Sequence, residues 1–275
     1  MTKKDTPKPE LNMVVLQLNS TTNKQSNQQQ IMTLLDDVKS PDVILFPEVF
    51  NHRSIDFDPQ GAESLTGNTI QWVSMLAQKY QAYIIAGSIT ETSVGHQSYN
   101  TCVVINPSGN MIETYRKIHL FDVKVNQTEI LESRFFKAGQ HPKVVNIYGW
   151  KFGLSICYDI RFPELYRYYF HQEVDVIAIP ASFTEATGHK HWEPLCRARA
   201  IENQCYVLAP NQCGVGANGV NTYGNSLIVD PDGVVLQKGS DDQIQCISAT
   251  LEHQLITRIR QNMPCHKHAK QEWVH

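Results

Sequence analysis

The chain has 275 residues, 41% of them hydrophobic and 19% charged, with a formal net charge of −3 and a pI near 6.4. A substantial core fits that length, in one large domain or two ordinary ones, and scattered Lys and Arg leave no footprint for nucleic acid or an anionic membrane. Seven cysteines, odd in number and without a C-x-x-C pair, read as reduced thiols; with no signal-peptide core after MTKKDTPKPE and no membrane-length apolar run, the expected location is the cytoplasm.

In chain order, MVVLQL (13–18) reads as a strand, and the polar stretch NSTTNKQSNQQQ (19–30) leads into a helix over about 24–39. DVILFP (42–47) is a strand, 68–80 a helix, and AYIIAGSI (82–89) and NTCVVI (100–105) are strands. In VVINPSGNMIETY (103–115) a Pro-x-Gly turn joins two apolar runs, the chemistry of a β-hairpin, whereas 121–142 looks irregular. Strands KVVNI (143–147) and FGLSIC (152–157) precede a helix over 163–172, strand DVIAIP (175–180) and a helix over 191–204. CYVLAP (205–210), a second Pro-x-Gly hairpin in LIVDPDGVVLQKG (227–239), strand IQCISATL (244–251) and a helix over 251–261 complete the chain.

The order repeats. DVILFPEVF at 42 is echoed by DVIAIPASF at 175, and the two hairpins are equivalent. Two α/β halves, about 10–150 and 151–260, each build a sheet with helices on one face, and the bare faces are best covered by each other. The expected fold is an α-β-β-α sandwich, a single domain over 11–262 with tails at 1–10 and 263–275.

Three reactive side chains fall where strands give out: Glu48 after DVILFP, Lys117 after MIETYR and Cys157 at the end of FGLSIC. In open α/β sheets ligands bind beyond the carboxyl ends of strands, so the three are expected to converge. A thiol attacks as thiolate, and Glu48 is the candidate base. Lys117 and the Tyr158 backbone N–H would stabilise the oxyanion that forms. The combination describes acyl transfer.

FPEVF, YRKIHLFD and CYDIRFPEL, in this order, resemble the three signature regions of the nitrilase superfamily of carbon–nitrogen hydrolases, and the resemblance covers about residues 11–265. It implies the same sandwich fold and a Glu48, Lys117, Cys157 triad. Glu132 in ILESRFF, with Glu129 as a neighbouring candidate, matches the family's second active-site glutamate, which holds the lysine and orients substrate or water. Tyr158 and Asp159 stand where true nitrilases typically carry Trp and Glu. GHKHWEPLCRARAIENQCYVLAPNQCG and YGNSLIVDPDG are similar to the amidase branch that holds deaminated glutathione amidase and omega-amidase. The resemblance therefore implies hydrolysis of a small-molecule amide without metal or organic cofactor, by a homodimer or higher homo-oligomer.

Tyr158, Phe183 and His191 are candidates for substrate contact, Phe183 because its strand end is equivalent to that of Glu48. The remaining cysteines of the strand and helix runs read as packing. CHKH at 265–268 lacks a spaced second ligand pair and reads as a mobile or docked tail, so no metal is expected. Arg197 and Arg199 read as structural, pairing with Glu193 or Glu202. YRYYF (166–170) reads as a helix buried against a sheet or a partner subunit. The rival readings are a non-catalytic interaction protein on the same fold, an acyltransferase and a true nitrilase.

Overall fold

The computed structural model describes residues 6–54, 61–94, 97–125, 128–217 and 219–270. The first half runs β1 (Glu10–Gln17), α1 (Lys24–Leu35), β2 (Val43–Leu45), α2 (Asn68–Tyr80), β3 (Tyr83–Glu91), β4 (Tyr99–Ile105) and β5 (Met111–Arg116). A short hairpin, β6 (Asp122–Val125) and β7 (Thr128–Leu131), leads into β8 (Lys143–Ile147) and β9 (Trp150–Leu154). Then come α3 (Pro163–His171), β10 (Val176–Ala178), α4 (Glu185–Asn203), β11 (Tyr206–Ala209), β12 (Cys213–Val215), β13 (Asn221–Tyr223), β14 (Leu227–Val229) and β15 (Val235–Lys238). The last elements are β16 (Gln245–Glu252), α5 (His253–Asn262) and α6 (Cys265–His268).

Two six-stranded sheets form, in the orders β16-β1-β2-β3-β4-β5 and β15-β14-β11-β10-β9-β8. In each, three parallel strands (β1, β2, β3 and β9, β10, β11) are extended antiparallel on both sides. The expected pseudo-symmetry is therefore present, but the halves are not self-contained. β16 returns from the chain's end to pair with β1 from Glu10↔Glu252 to Gln17↔Gln245, and β8, counted with the first half, is an edge of the second sheet.

Period-two alternation divides the layers. On β1, Leu11, Met13 and Val15 share a core with Phe152, Leu154 and Leu208 of the other sheet. Val14 and Leu16 point the other way, onto Ile31 and Leu35 of α1 and Val73 and Leu76 of α2. Beyond the second sheet, Tyr169 of α3 lies flat on Gly153, where an added Cβ would come within 2.9–3.0 Å of the ring. The layers are α-β-β-α.

Three expectations need correction. α4 starts at Glu185, not 191, and continues through Gly188 and Pro194, both helix-disfavouring signals that tertiary packing overrides: Gly188 makes room for the Tyr223 ring, and Trp192 and Cys196 are fully buried. The irregular stretch 121–142 contains the β6–β7 hairpin. The N-terminal tail is tied down within its described part: Lys8 pairs with Asp42 at 2.6 Å, its carbonyl accepts from the Trp150 indole, and β1 already begins at Glu10. Of the two readings of the CHKH segment, mobile or docked, the docked one holds: it is α6, packed on its own chain, with the His266 ring stacked on Phe170 at 4.0 Å and the Met263 carbonyl accepting from Gln204. No group of potential metal ligands occurs among the described residues.

Candidate active site

Each of the three strand ends is shaped by local backbone chemistry. β2 stops at Leu45, and the chain passes over a bulge in β3 at Gly87, whose φ is +25°. A Cβ there would lie 1.9 Å from the Pro47 carbonyl oxygen, so only glycine lets the loop bearing Glu48 come so close. That loop is fixed further by Ser88 Oγ, which accepts from Val49 N–H, and by the Gln212 amide, which donates to the Glu48 carbonyl. Lys117 directly follows β5; its N–H donates to the Asn100 carbonyl and its own carbonyl accepts from Gly139.

Cys157 stands three residues beyond β9, at the start of a single 3-10 turn over Cys157–Arg161. Its φ is 47°, left-handed for a non-glycine residue, which costs about 1–3 kcal/mol and marks a position held by its surroundings. The holding group is Asp159, fully buried. Its carboxylate accepts from Ile156 N–H (2.8 Å), Tyr115 O–H (2.7 Å), His119 N–H (3.0 Å) and the His119 ring (2.7 Å). One carboxylate thereby ties the cysteine turn to the segment that carries Lys117.

The three side chains meet in a buried cluster. Lys117 Nζ lies 2.9 Å from Glu48 Oε1 and 2.9 Å from Glu132 Oε2, with all three residues at most 5% exposed. Asn100 Nδ2 donates to both carboxylates, at 2.9 Å to Glu48 Oε1 and 3.2 Å to Glu132 Oε1. The other Glu48 oxygen accepts from Ser182 N–H, and Glu132 Oε2 from Phe121 N–H. Cys157 is 8% exposed, its N–H bound to the Pro180 carbonyl.

The charges follow from this arrangement. Burial pushes the Cys157 thiol well above its ordinary value, and the Glu48 charge adds to it, while Lys117 and the Ser182 N–H oppose. The resting group is the neutral thiol. Burial by itself would lower Lys117, but the charges of Glu132 and Glu48 outweigh it and hold the ammonium protonated far into the alkaline range. Burial raises Glu132, against the pull of Lys117 and with the push of Glu48. A neutral thiol beside a hydrogen-bonded carboxylate needs its proton removed as it attacks, and a fixed ammonium suits the oxyanion so formed.

A cleft enclosing about 890 Å³ of empty space, its open mouth included, surrounds the cluster. Tyr158 and Phe183, the candidates for substrate contact, both line it. Tyr158 packs edge-on against Phe121 and Phe162, and Phe183 lies tilted against Trp192. His191 does not line it: the side chain is exposed on α4 and reaches the cleft only through Arg161, 3.2 Å away. Three residues of the site went unread in the sequence. Asn100 is one residue inside an apolar strand, where its only signal was a polar side chain at a strand mouth. Asp159 stood in view inside CYDIRFPE without a partner to suggest its role. Arg53, five residues after Glu48, lines the cleft from a loop whose fold leaves no periodic signal.

Residues 14–261 match the family described as carbon-nitrogen hydrolase. The chain belongs to that family. Among its relatives, this hydrolase is 37% identical over 261 residues to a deaminated glutathione amidase of Synechocystis, covering 92% of this chain and 96% of that one. It is 34% identical over 237 residues to an omega-amidase of Xenopus laevis, covering 85% of each. A CN-hydrolase superfamily protein of Xanthomonas campestris, solved with an arsenic adduct in its active site, superposes with a TM-score of 0.86 at 26% identity, over 95% of the hydrolase and 98% of that chain. The fold expected from the repeated strand–helix–hairpin order is thus the family's own.

Proposed function

We propose that the hydrolase cleaves the amide of a small 2-oxo-carboxylate metabolite through a thioester on Cys157, with deaminated glutathione as the substrate. The observation that carries this reading is one protonated lysine, Lys117, clamped between two buried carboxylates beside a buried thiol. The relatives named deaminated glutathione amidase support the substrate; those named omega-amidase supply the second reading, 2-oxoglutaramate.

In the proposed reaction Cys157 Sγ attacks the amide carbon as Glu48 takes the thiol proton, forming the C–S bond and an alkoxide facing Lys117. Collapse breaks the C–N bond, and Glu48 passes its proton to the leaving nitrogen. Water then attacks the thioester, giving one proton to Glu48 as its oxygen bonds to carbon. The C–S bond breaks, the acid leaves and the thiol is restored with that proton. Glu132 keeps Lys117 aimed at the oxyanion, and Tyr158 and Phe183 form the wall against the substrate chain. No step calls for a metal or an organic cofactor.

The homo-oligomer implied by the family resemblance is also proposed. Tyr168 of α3 and Ile201 of α4 leave apolar surface at 41% and 51% exposure on two neighbouring helices. Sedimentation velocity should give a dimer that Tyr168→Glu dissociates. The seven cysteines, none in a disulfide, fit the cytoplasm, and no described helix is long and apolar enough to cross a membrane.

The test is product release from deaminated glutathione and from 2-oxoglutaramate. The first should yield 2-oxoglutarate and cysteinylglycine without ammonia, and at least about tenfold higher kcat/KM, or 1.4 kcal/mol of discrimination. A preference for the second substrate assigns the omega-amidase reaction instead.

A further inference from the structure

The cleft holds a cation that the chemistry above does not use. Arg53 is 6% exposed and forms no salt bridge among the described residues, Glu48 acting on it only at longer range. Its guanidinium donates to neutral acceptors: the Asn19 side chain (3.3 Å), the Cys213 and Val220 carbonyls (both 3.4 Å) and the Thr222 hydroxyl (3.1 Å). Charge-assisted bonds are typically about 2.7–2.9 Å, so these are long ones. A buried charge is usually paired, because its desolvation is otherwise uncompensated. Here burial lowers the Arg53 pKa to about 10, against the Cys213 and Glu48 contributions that raise it, leaving the guanidinium charged at neutral pH.

The surroundings are built to fit this group. Gly216, between β12 and β13, lies flat against the guanidinium, and a Cβ there would sit 2.8 Å from its carbon and two of its nitrogens. A second guanidinium, Arg161, lines the same cleft over the Phe183 ring at 5.0 Å, and its side-chain hydrogen bond goes to His191. Among the described residues, two guanidinium groups that form no salt bridge thus line one cleft around Cys157, where a primary 2-oxo-acid amide offers only one carboxylate.

We infer that Arg53 is a second anion subsite, which takes the distal carboxylate of a doubly anionic substrate while Arg161 faces the 2-oxo-acid end. This inference rests on the amidase reading and sharpens it: the leaving group is an amine that carries its own carboxylate. A planar carboxylate matches the guanidinium fork and replaces stretched neutral contacts with charged ones.

The experiment compares deaminated glutathione, its C-terminal carboxamide and 2-oxoglutaramate on wild type, Arg53→Met and Arg53→Lys. Wild type should favour the carboxylate over its carboxamide by tenfold or more in kcat/KM. Arg53→Met should shrink that ratio below threefold, with circular dichroism confirming the fold, and Arg53→Lys should leave an intermediate ratio. An undiminished ratio in Arg53→Met makes the residue structural and overturns the inference. Should Arg53→Met not fold, Arg53→Lys decides, and a full wild-type ratio there overturns it. Wild-type turnover of 2-oxoglutaramate alone overturns the subsite but leaves the amidase reading; silence on all three substrates removes both.

Discussion

Replacing Asn100 with leucine tests whether the carboxylate clamp matters to the chemistry. The amide Nδ2 donates at 2.9 Å to Glu48 and at 3.2 Å to Glu132, both buried and charged. Hydrogen bonds to charged groups contribute about 1.5–3 kcal/mol. If one such contribution is felt in the transition state, kcat/KM falls roughly 10- to 150-fold at 1.36 kcal/mol per decade. The pH profile adds an independent readout. The amide's donors favour the ionised form of Glu132, so their loss pushes the Glu132 pKa, already raised by burial, higher still and moves the acid limb of kcat/KM to higher pH. Steady-state kinetics across pH 4–9 in wild type and Asn100→Leu, with unfolding midpoints to confirm the fold, measures both. An activity within threefold of wild type with an unmoved acid limb would refute the clamp.

Two further predictions concern the scaffold. Asp159→Ala strands buried donors from Ile156, Tyr115 and His119, and should lower unfolding free energy in urea by about 2–4 kcal/mol while reducing turnover; a loss under 1 kcal/mol contradicts its anchoring role. Glu63 accepts from the Thr69 N–H and hydroxyl at the start of α2, where the N-cap Gly67 offers no side chain, and pairs with Lys24. Burial opposes ionisation, but Lys24 and Thr69 outweigh it and hold the Glu63 pKa below its ordinary value. A depressed folded pKa stabilises above the unfolded value and is lost as pH falls through the folded one. Glu63→Gln should therefore cost about 0.5–1 kcal/mol near pH 7, after solvent screening, and the gap should close below the ordinary carboxylate range; a gap constant with pH contradicts the assignment.

The fold was legible because its information is local and repeated. Alternation on strands such as MVVLQL and the Pro-x-Gly turns survive any packing detail, and the echo of DVILFP in DVIAIP reveals the second sheet. What escaped reading depended on tertiary partners. Trp192 and Cys196 keep α4 helical past Pro194, and β16 joins the first sheet because its partner, β1, lies some 230 residues earlier. The site divided in the same way. Glu48, Lys117 and Cys157 were visible as reactive types at strand ends, and the structure brings them together. His191 was placed at the mouth by proximity in sequence, yet helical phase turns it outward. Asn100, Asp159 and Arg53 acquire meaning only from what they touch.

The central claim is that Cys157 is the nucleophile, and the most direct measurement is turnover of deaminated glutathione and 2-oxoglutaramate by Cys157→Ala with its fold checked by circular dichroism. Loss of a nucleophile that acts with its base as a unit should lower kcat by about 10⁴-fold or more. A folded Cys157→Ala that turns over either substrate at the wild-type rate would contradict the account.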